Sequence, residues 1–261
     1  IEPTNGTAFW NRDGKITIWT STQGTFSIRQ QCAALLQVPE SQIKVVPMEI
    51  GGGFGGKIAV YLEPVAALLS KKAHHPVKMW MPRADIIRAT GPTSATHNRV
   101  KIGAKRDGTL VAAEVNLAFA AGAFPGSAVG AGAMCATAPY DIPHQLIDGF
   151  DVVTNTPKTQ AYRAPAAEYA VESVIDELAE LLEMDPMDLR LKNAAKEGGT
   201  NSSGQPWPKM GAEAVMEAIK NHPHYTSELH GEDTGRGVAL GFWFNGGMES
   251  SSTAKLNADG T

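Results

Sequence analysis

The pattern of apolar and polar positions predicts two antiparallel hairpins in the first half of the chain. Asp13-Gly14 precedes an alternating strand at 16–20, and Asp107-Gly108 separates strand patterns at 99–103 and 109–115. Asp-Gly favours tight hairpin turns because both residues tolerate the positive φ angles that these turns need. We therefore predict antiparallel pairing of strands at both places.

Between the two hairpins, helical and strand patterns alternate. Residues 26–36 and 58–72 have the spacing of helices, with Pro64 as an expected kink in the second, and residues 42–50 and 76–80 are typical of strands. Such alternation favours βαβ units. The predicted fold class is therefore α+β, with mixed sheets and a βαβ-like segment.

The second half begins with small residues and continues with helices. Residues 118–138 are rich in Ala and Gly, and we predict a partly buried connector there. An apolar stripe in residues 168–182 indicates a helix. Asp185 is expected to cap a further helix that has Pro186 at its first position.

A turn-rich stretch at residues 199–209 divides the chain into two predicted domains. Residues 1–198 are predicted to be part of a first domain, and residues 210–261 the start of a second. In this second part, residues 235–244 and 250–257 have strand character. The last strand runs into Asp-Gly without a return strand, so we expect that the protein continues.

Composition narrows the classes of function. Hydrophobic residues make up 43% of the 261 residues, the net charge is −4, and no basic cluster favours nucleic-acid binding. Cys32 and Cys135 are the only cysteines, which excludes an iron–sulfur or structural zinc site of cysteine ligands. No apolar stretch approaches the ~20 residues that span a bilayer. We expect a cytoplasmic protein that binds neither nucleic acid nor membrane.

The segment Gly-Gly-Gly-Phe-Gly-Gly-Lys at residues 51–57, here the glycine loop, is the most suggestive chemically. Glycines let the backbone approach an anion, and a following helix would add free N–H groups. The spacing fits a nucleotide P-loop, although Ile58 stands where Ser or Thr would hold magnesium. It also fits the dinucleotide fingerprint, although residues 70–81 contain no acidic residue to hold a ribose. P-loop-like nucleotide binding is kept as an alternative.

The glycine loop also resembles that of the xanthine dehydrogenase/aldehyde oxidase family of molybdenum hydroxylases. The resemblance covers essentially all 261 residues, in order. It implies an internal fragment of the large subunit that binds the molybdenum cofactor. The other similar segments are Thr20-Ser21-Thr22-Gln23-Gly24, Pro76-Val77-Lys78, residues 101–108, Ala161-Tyr162-Arg163-Ala164-Pro165, residues 172–179, Asp185-Pro186, residues 190–193 and residues 235–239.

This resemblance implies both a reaction and a cofactor. Family members hydroxylate an electron-poor carbon of an aldehyde or N-heterocycle with oxygen from water. Their molybdenum is held by a pterin dithiolene, so molybdopterin or its cytosine dinucleotide form is expected, without a metal ligand from the protein. Iron–sulfur and FAD groups are expected on other domains or subunits, which also supply the rest of the molybdenum subunit. A non-catalytic scaffold of the same fold is a further alternative.

The resemblance assigns site residues one by one. Gln23 matches a glutamine that donates a hydrogen bond to an oxo ligand of molybdenum, a task suited to a neutral amide. Phe54 and Gly55 match positions whose backbone faces the cofactor, and Arg163 matches an arginine whose backbone N–H lies beside the metal. The complete predicted set of cofactor-binding residues is Gln23, Gly24, Gly53, Phe54, Gly55, Arg163 and Ala164.

Departures from the family bear on the substrate and on the catalytic base. Ile58 and Thr93 stand where xanthine-type members carry Glu and Arg, so the resemblance favours a less polar substrate than xanthine. The family's catalytic glutamate belongs to a C-terminal loop that no segment here resembles. Glu63, Glu168 and Glu172 lie outside that motif, and Glu172 is expected to be solvated or capping. We assign no general base and expect the chain alone to be inactive.

Overall fold

The computed structural model describes residues 1–160, 165–243, 252 and 254–259. Its first layer is a four-stranded mixed sheet with the strand order β3-β2-β1-β4. Strand β1 is antiparallel to β2 and β4, and β2 is parallel to β3. The elements of this layer are β1 (Asn5–Trp10), β2 (Ile16–Thr20), α1 (Thr25–Leu36), a 3-10 turn (Glu40–Gln42), β3 (Ile43–Pro47), α2 (Glu63–Ala73), β4 (Val77–Trp80) and α3 (Arg83–Ala89).

The predicted hairpin and the predicted βαβ segment are both present in this sheet. The turn between β1 and β2 closes with the Asn11 amide donating to the Lys15 carbonyl at 2.8 Å. Helix α1 connects the parallel strands β2 and β3, which makes them a βαβ unit. Its buried side chains, among them Ile28 and Cys32, pack with Ile18 of β2, because apolar surface on one face of a sheet needs a covering layer.

The helix predicted at 58–72 begins later than its pattern indicated. Helix α2 starts at Glu63 and has Pro64 in its first turn, so Pro64 does not kink it. Proline is accepted there because the N–H that it lacks would have no partner within the helix. Residues 58–62 are irregular, and the glycine loop is therefore not followed directly by a helix N-terminus.

The second layer is a three-stranded sheet with the order β5-β6-β7, covered by helices. Strands β5 and β6 form the second predicted hairpin, and β7 runs parallel to β6. The elements are β5 (Thr96–Ala104), β6 (Leu110–Gly122), α4 (Val129–Cys135), β7 (His144–Val153), α5 (Pro165–Leu181), α6 (Pro186–Lys192), α7 (Ala212–Lys220) and α8 (Pro223–Thr226).

The prediction of a connector at residues 118–138 is wrong. Strand β6 continues to Gly122, and α4 occupies residues 129–135. Inward positions keep alternating through this stretch, with Phe119 and Ala121 buried like Val115 and Leu117 before them. Alanine at an inward position does not end a strand when a helix packs closely above it, so the Ala-rich composition obscured the period of two.

Helix α5 provides the main cover of this sheet and follows its predicted stripe. Val171 and Ile175 pack with Leu117 and Phe119 of β6 in the largest core cluster. Asp185 caps α6 as predicted, since its side chain accepts hydrogen bonds from the Met187 amide at 2.8 Å and the Asp188 amide at 3.0 Å. These hydrogen bonds therefore fix the corner between α5 and α6.

The described residues after residue 209 do not form the strands predicted for this segment. Residues 235–243, and the described residues of 250–257, pair with no strand in the part of the chain described. The Leu240 and Phe242 amides donate instead to the carboxylates of Glu172 and Glu168, at 2.7 and 2.6 Å. Helix α7 places Met216 against Met187 and Ala194. The division into two domains at 199–209 stays a prediction.

Candidate functional site

The glycine loop leaves β3 and folds into a succession of left-handed backbone conformations. Gly51, Gly52 and Gly55 have φ angles of 60°, 86° and 91°. Phe54 has a φ angle of 51° without being glycine, and 57% of its surface is exposed. The other described non-glycine residues with positive φ each follow the end of a helix, where this conformation is common. A strained aromatic residue at an exposed loop tip marks a candidate functional site.

Gln23 is held against the glycine loop by both its backbone and its side chain. Its amide nitrogen donates to the Lys57 carbonyl at 3.0 Å. Its Oε1 accepts from the Gly55 amide at 2.9 Å and from the Lys57 amide at 3.3 Å. Because two N–H donors require an acceptor, the carboxamide is oriented with its oxygen toward the loop. Its Nε2 is thereby left as a donor on the opposite side, and no described residue accepts from it.

The remaining described members of the predicted cofactor-binding set lie around the contact between Gln23 and the glycine loop. A Cβ on Gly53 would lie 2.4 Å from Gln23 Oε1, so the absence of a side chain at Gly53 makes room for this carboxamide. Gly24 precedes α1 in an extended conformation, and its amide donates to Thr22 Oγ1 at 3.1 Å. The structure thus brings together Gln23, Gly24, Gly53, Phe54 and Gly55. The other two predicted residues, Arg163 and Ala164, lie outside the described residues.

Lys57 turns inward beneath the loop. Only 4% of the residue is exposed. Its Nζ donates to Ser21 Oγ at 2.9 Å and to the Ile50 carbonyl, and Ser21 Oγ also donates to that carbonyl at 3.0 Å. Burial lowers the pKa of Lys57 from its ordinary value. The side chain therefore connects the end of the glycine loop to its beginning from the inside.

This geometry argues against the P-loop alternative. A P-loop lysine extends to the phosphates of a nucleotide, but the ammonium of Lys57 is engaged with protein oxygens. A P-loop also requires a helix that begins at the loop, whereas α2 begins at Glu63. With Ile58 in place of the magnesium-binding hydroxyl, three requirements of nucleotide binding are unmet.

Sequence reasoning missed a buried ionic cluster on α5. Glu172, expected to be solvated or capping, is only 5% exposed. It accepts from the Tyr140 hydroxyl, from Arg190 Nε at 3.0 Å and from the Leu240 amide. Arg190 is fully buried and its Nη2 lies 2.8 Å from Asp176 Oδ1. Glu172 lies on the face of α5 that also carries the buried Ile175 and Ala179 at helical spacing, which was the available signal.

Glu63 and Glu168 are also engaged. Glu63 is buried and accepts from Thr20 Oγ1 at 2.7 Å and from the Tyr61 amide at 2.9 Å. Burial raises the pKa of Glu168, whose carboxylate accepts from the Phe242 amide. Both carboxylates thus hold the backbone of neighbouring segments. Assignment of a general base outside this chain stays a prediction.

Within the described ranges, no group of three or more His, Cys, Asp or Glu side chains converges as a metal site. No helix among the same residues is long and apolar enough to cross a membrane.

Comparison with known proteins relates this arrangement to a family. Residues 1–194 match the family model of the molybdopterin cofactor-binding domain. The chain is 32% identical over 212 residues to the nicotinate dehydrogenase large molybdopterin subunit of Eubacterium barkeri, covering 78% of this chain and 50% of that protein. It is 32% identical over 280 residues to the aldehyde oxidoreductase of Megalodesulfovibrio gigas, covering 100% of this chain and 30% of that protein.

Solved structures agree with the sequence comparison. The aldehyde oxidoreductase from Desulfovibrio gigas matches with a TM-score of 0.77 and 31% identity, over 84% of this chain and 25% of that one. Reconstituted CO dehydrogenase from Oligotropha carboxidovorans matches with a TM-score of 0.69 and 26% identity, over 85% and 30% of the two chains. The chain thus spans half or less of each of the proteins named here.

These findings confirm the predicted family and fold class, and none of them supports nucleotide binding at a P-loop. The chain belongs to the molybdopterin cofactor-binding domain family of aldehyde oxidoreductase and xanthine dehydrogenase-type enzymes.

Proposed function

We propose that Gln23 and the glycine loop hold the molybdenum cofactor in an enzyme that hydroxylates an aldehyde or an N-heterocycle. The observation that carries the proposal is the orientation of the Gln23 carboxamide, whose oxygen is fixed by the Gly55 and Lys57 amides. Its Nε2 then serves as a preorganised donor to an electron-rich ligand. A carboxylate at this position would repel such a ligand.

The residues fit a pterin-bound molybdenum. The protein offers a neutral amide donor at Gln23, and Gly51 and Gly52 present an exposed or half-buried backbone without side chains, which an anionic group can approach closely. We include Gly24, Phe54, Arg163 and Ala164 in this site, because they belong to the same resembling segments. Protein ligands to the metal are not required, since the pterin dithiolene would hold it.

When bound, the cofactor would supply two-electron redox chemistry to the reaction. The residues of this chain would bind it, orient it and donate a hydrogen bond from Gln23 Nε2. The general base would come from the remainder of the molybdenum subunit, so we propose that this chain alone is inactive. Iron–sulfur and flavin domains or subunits would carry the electrons onward.

The names of the relatives support the proposed substrate class. Their names include a nicotinate dehydrogenase and an aldehyde oxidoreductase, one acting on an N-heterocycle and the other on aldehydes. With Ile58 and Thr93 in place of the charged residues of xanthine-type members, we propose a less polar substrate than xanthine. Turnover of aromatic aldehydes and of xanthine by the full-length protein would compare the two directly.

The test of cofactor binding uses the full-length protein purified with its natural partners. Molybdenum would be measured by mass spectrometry and pterin by fluorescence after release. We expect near-stoichiometric amounts of both in the unmodified protein. Absence of both, under conditions that load other molybdenum enzymes, would instead favour the non-catalytic scaffold.

Gln23→Glu is the sharpest variant for this site, because a carboxylate still accepts from the Gly55 and Lys57 amides but cannot donate. We expect a folded protein with at least tenfold lower hydroxylation activity. Gln30→Glu, an exposed change of the same charge on α1, is the matched control and should keep full activity. Equal activities of the two variants would refute the role of Gln23.

A further inference from the structure

The Lys57 ammonium is buried without a carboxylate partner. Among the residues that the structure describes, no Asp or Glu forms an ion pair with it, and its hydrogen bonds go to a hydroxyl and a carbonyl. Glu2 is the acidic residue that influences its charge, and it does so only through space. An unpaired buried charge is costly, so proteins seldom keep one without a compensating anion.

The two oxygens that accept from Lys57 do not explain its presence. Ser21 Oγ donates to the Ile50 carbonyl at 3.0 Å, so this carbonyl has a donor even without the lysine. Thr22 Oγ1 and the Gln23 amide hold the Lys57 carbonyl at 3.1 and 3.0 Å, which fixes the backbone of residue 57 independently of its side chain. A neutral side chain of similar length would fill the same space at a lower desolvation cost.

The position of the charge suggests what compensates it. The Lys57 amide shares Gln23 Oε1 with the Gly55 amide, so residue 57 lies directly beside the backbone that we assign to the cofactor. The side chain then runs back under the loop to its first residues. A dithiolene and a phosphate make molybdopterin an anion, and a cation in a region of low dielectric attracts an anion strongly.

We propose that Lys57 is a supporting residue of the cofactor site, a buried cation beneath the glycine loop that balances the charge of the anionic cofactor. This inference rests on the proposed function. Lys57 acts through its charge, without touching the reacting atoms. Its charge costs stability in the empty protein and is compensated when the cofactor binds.

The test compares Lys57→Met and Lys57→Gln with Lys72→Met, an exposed lysine on α2 as the matched control. Each full-length variant is measured for molybdenum and pterin content and for the urea midpoint of its cofactor-free form. We expect about tenfold or more loss of cofactor in Lys57→Met, as for other supporting residues of metal sites. We expect its cofactor-free midpoint to be equal to or above that of the unmodified protein.

Lys57→Gln separates charge from hydrogen bonding, because it keeps a donor for the Ile50 carbonyl. A similar loss of cofactor in this variant supports the charge. Normal cofactor content in Lys57→Met and Lys57→Gln, in a preparation whose unmodified protein is loaded, would overturn the inference and leave the proposed function intact. If Lys57→Met does not fold, the proposal of a charge that costs stability is likewise overturned. An unmodified protein without cofactor would instead count against the proposed function.

Discussion

Each of the two layers of this chain buries a cation. Among the described residues, one of these cations is paired with carboxylates and the other is not. Arg190, in the layer of α5 and α6, lies between the carboxylates of Glu172 and Asp176. Lys57, beneath the glycine loop, has a hydroxyl and a carbonyl as partners. A paired cation contributes to the fold, and removing it leaves a buried anion. A cation without a described counterion gains little from the fold, which indicates a ligand that supplies the missing charge.

The largest expected effect is on the paired cation. Arg190→Met would leave Glu172 buried with the Tyr140 hydroxyl and the Leu240 amide as its remaining partners. Loss of one member of a buried ion pair costs about 3–5 kcal/mol of the free energy of unfolding. Urea denaturation of the cofactor-free protein measures this, with the exposed Arg106→Met as control. A loss below about 1 kcal/mol would contradict the structural role of Arg190.

An intermediate effect is expected where the glycine loop meets α1. Gly53→Ala would place a Cβ 2.4 Å from Gln23 Oε1 and displace this carboxamide from the Gly55 and Lys57 amides. Loss of these hydrogen bonds should cost about 1–2 kcal/mol in the cofactor-free protein. Gly211→Ala is the control, because nothing lies within 4 Å of its added Cβ. Equal urea midpoints for the two variants would show that the position of the Gln23 carboxamide does not depend on glycine at residue 53.

A smaller effect, and of opposite sign, is expected for the unpaired cation. Burial holds the pKa of folded Lys57 below 10.5, so its charge opposes folding at neutral pH. This cost disappears as the pH rises toward the unfolded value. Cofactor-free Lys57→Met should therefore match or exceed the unmodified protein by up to about 1 kcal/mol at pH 7. The difference should shrink by pH 10.5, and a constant difference across this range would argue against a buried charge.

The smallest effect concerns Glu168, which holds the segment at Phe242. Burial, with Glu172 as a nearby like charge, raises its pKa above 4.5. The folded state then binds the proton more tightly than the unfolded chain, so this contribution to stability is full below pH 4.5 and declines as the pH rises through the raised pKa. Glu168→Gln should flatten the pH dependence of unfolding in the range above pH 4.5. An unchanged profile would assign that dependence to other groups.

Sequence patterns predicted both hairpins, the βαβ segment and the helices α1, α2, α5 and α6, because local spacing and turn chemistry determine them. Glu63 and Pro64 carried the signal for the start of α2, since proline and an acidic residue favour a first helical turn, but the periodic pattern before them was more conspicuous. Family resemblance assigned Gln23 and the glycine loop to one cofactor site, but the contact between them was not predicted. No local pattern joins residues 32 positions apart along the chain.

The inward turn of Lys57 and the cluster around Arg190 were not predicted. The direction of the Lys57 side chain depends on the Ile50 carbonyl, which is available only once the loop has folded back on itself. The Arg190 pair joins two helices, and sequence spacing does not specify such tertiary contacts. Backbone amides of Leu240 and Phe242 donate to carboxylates where strand pairing was expected, and within the described part of the chain no strand pairs with them.

The central claim is that the cofactor lies on the glycine loop with Gln23 as a donor to it. The most direct measurement is a crystal structure of the loaded full-length protein. We predict that Gln23 Nε2 lies about 2.7–3.2 Å from an acceptor of the molybdenum group, with the backbone of Phe54 and Gly55 against the cofactor. A cofactor bound away from this loop, with Gln23 Nε2 in contact only with protein or solvent, would contradict the account.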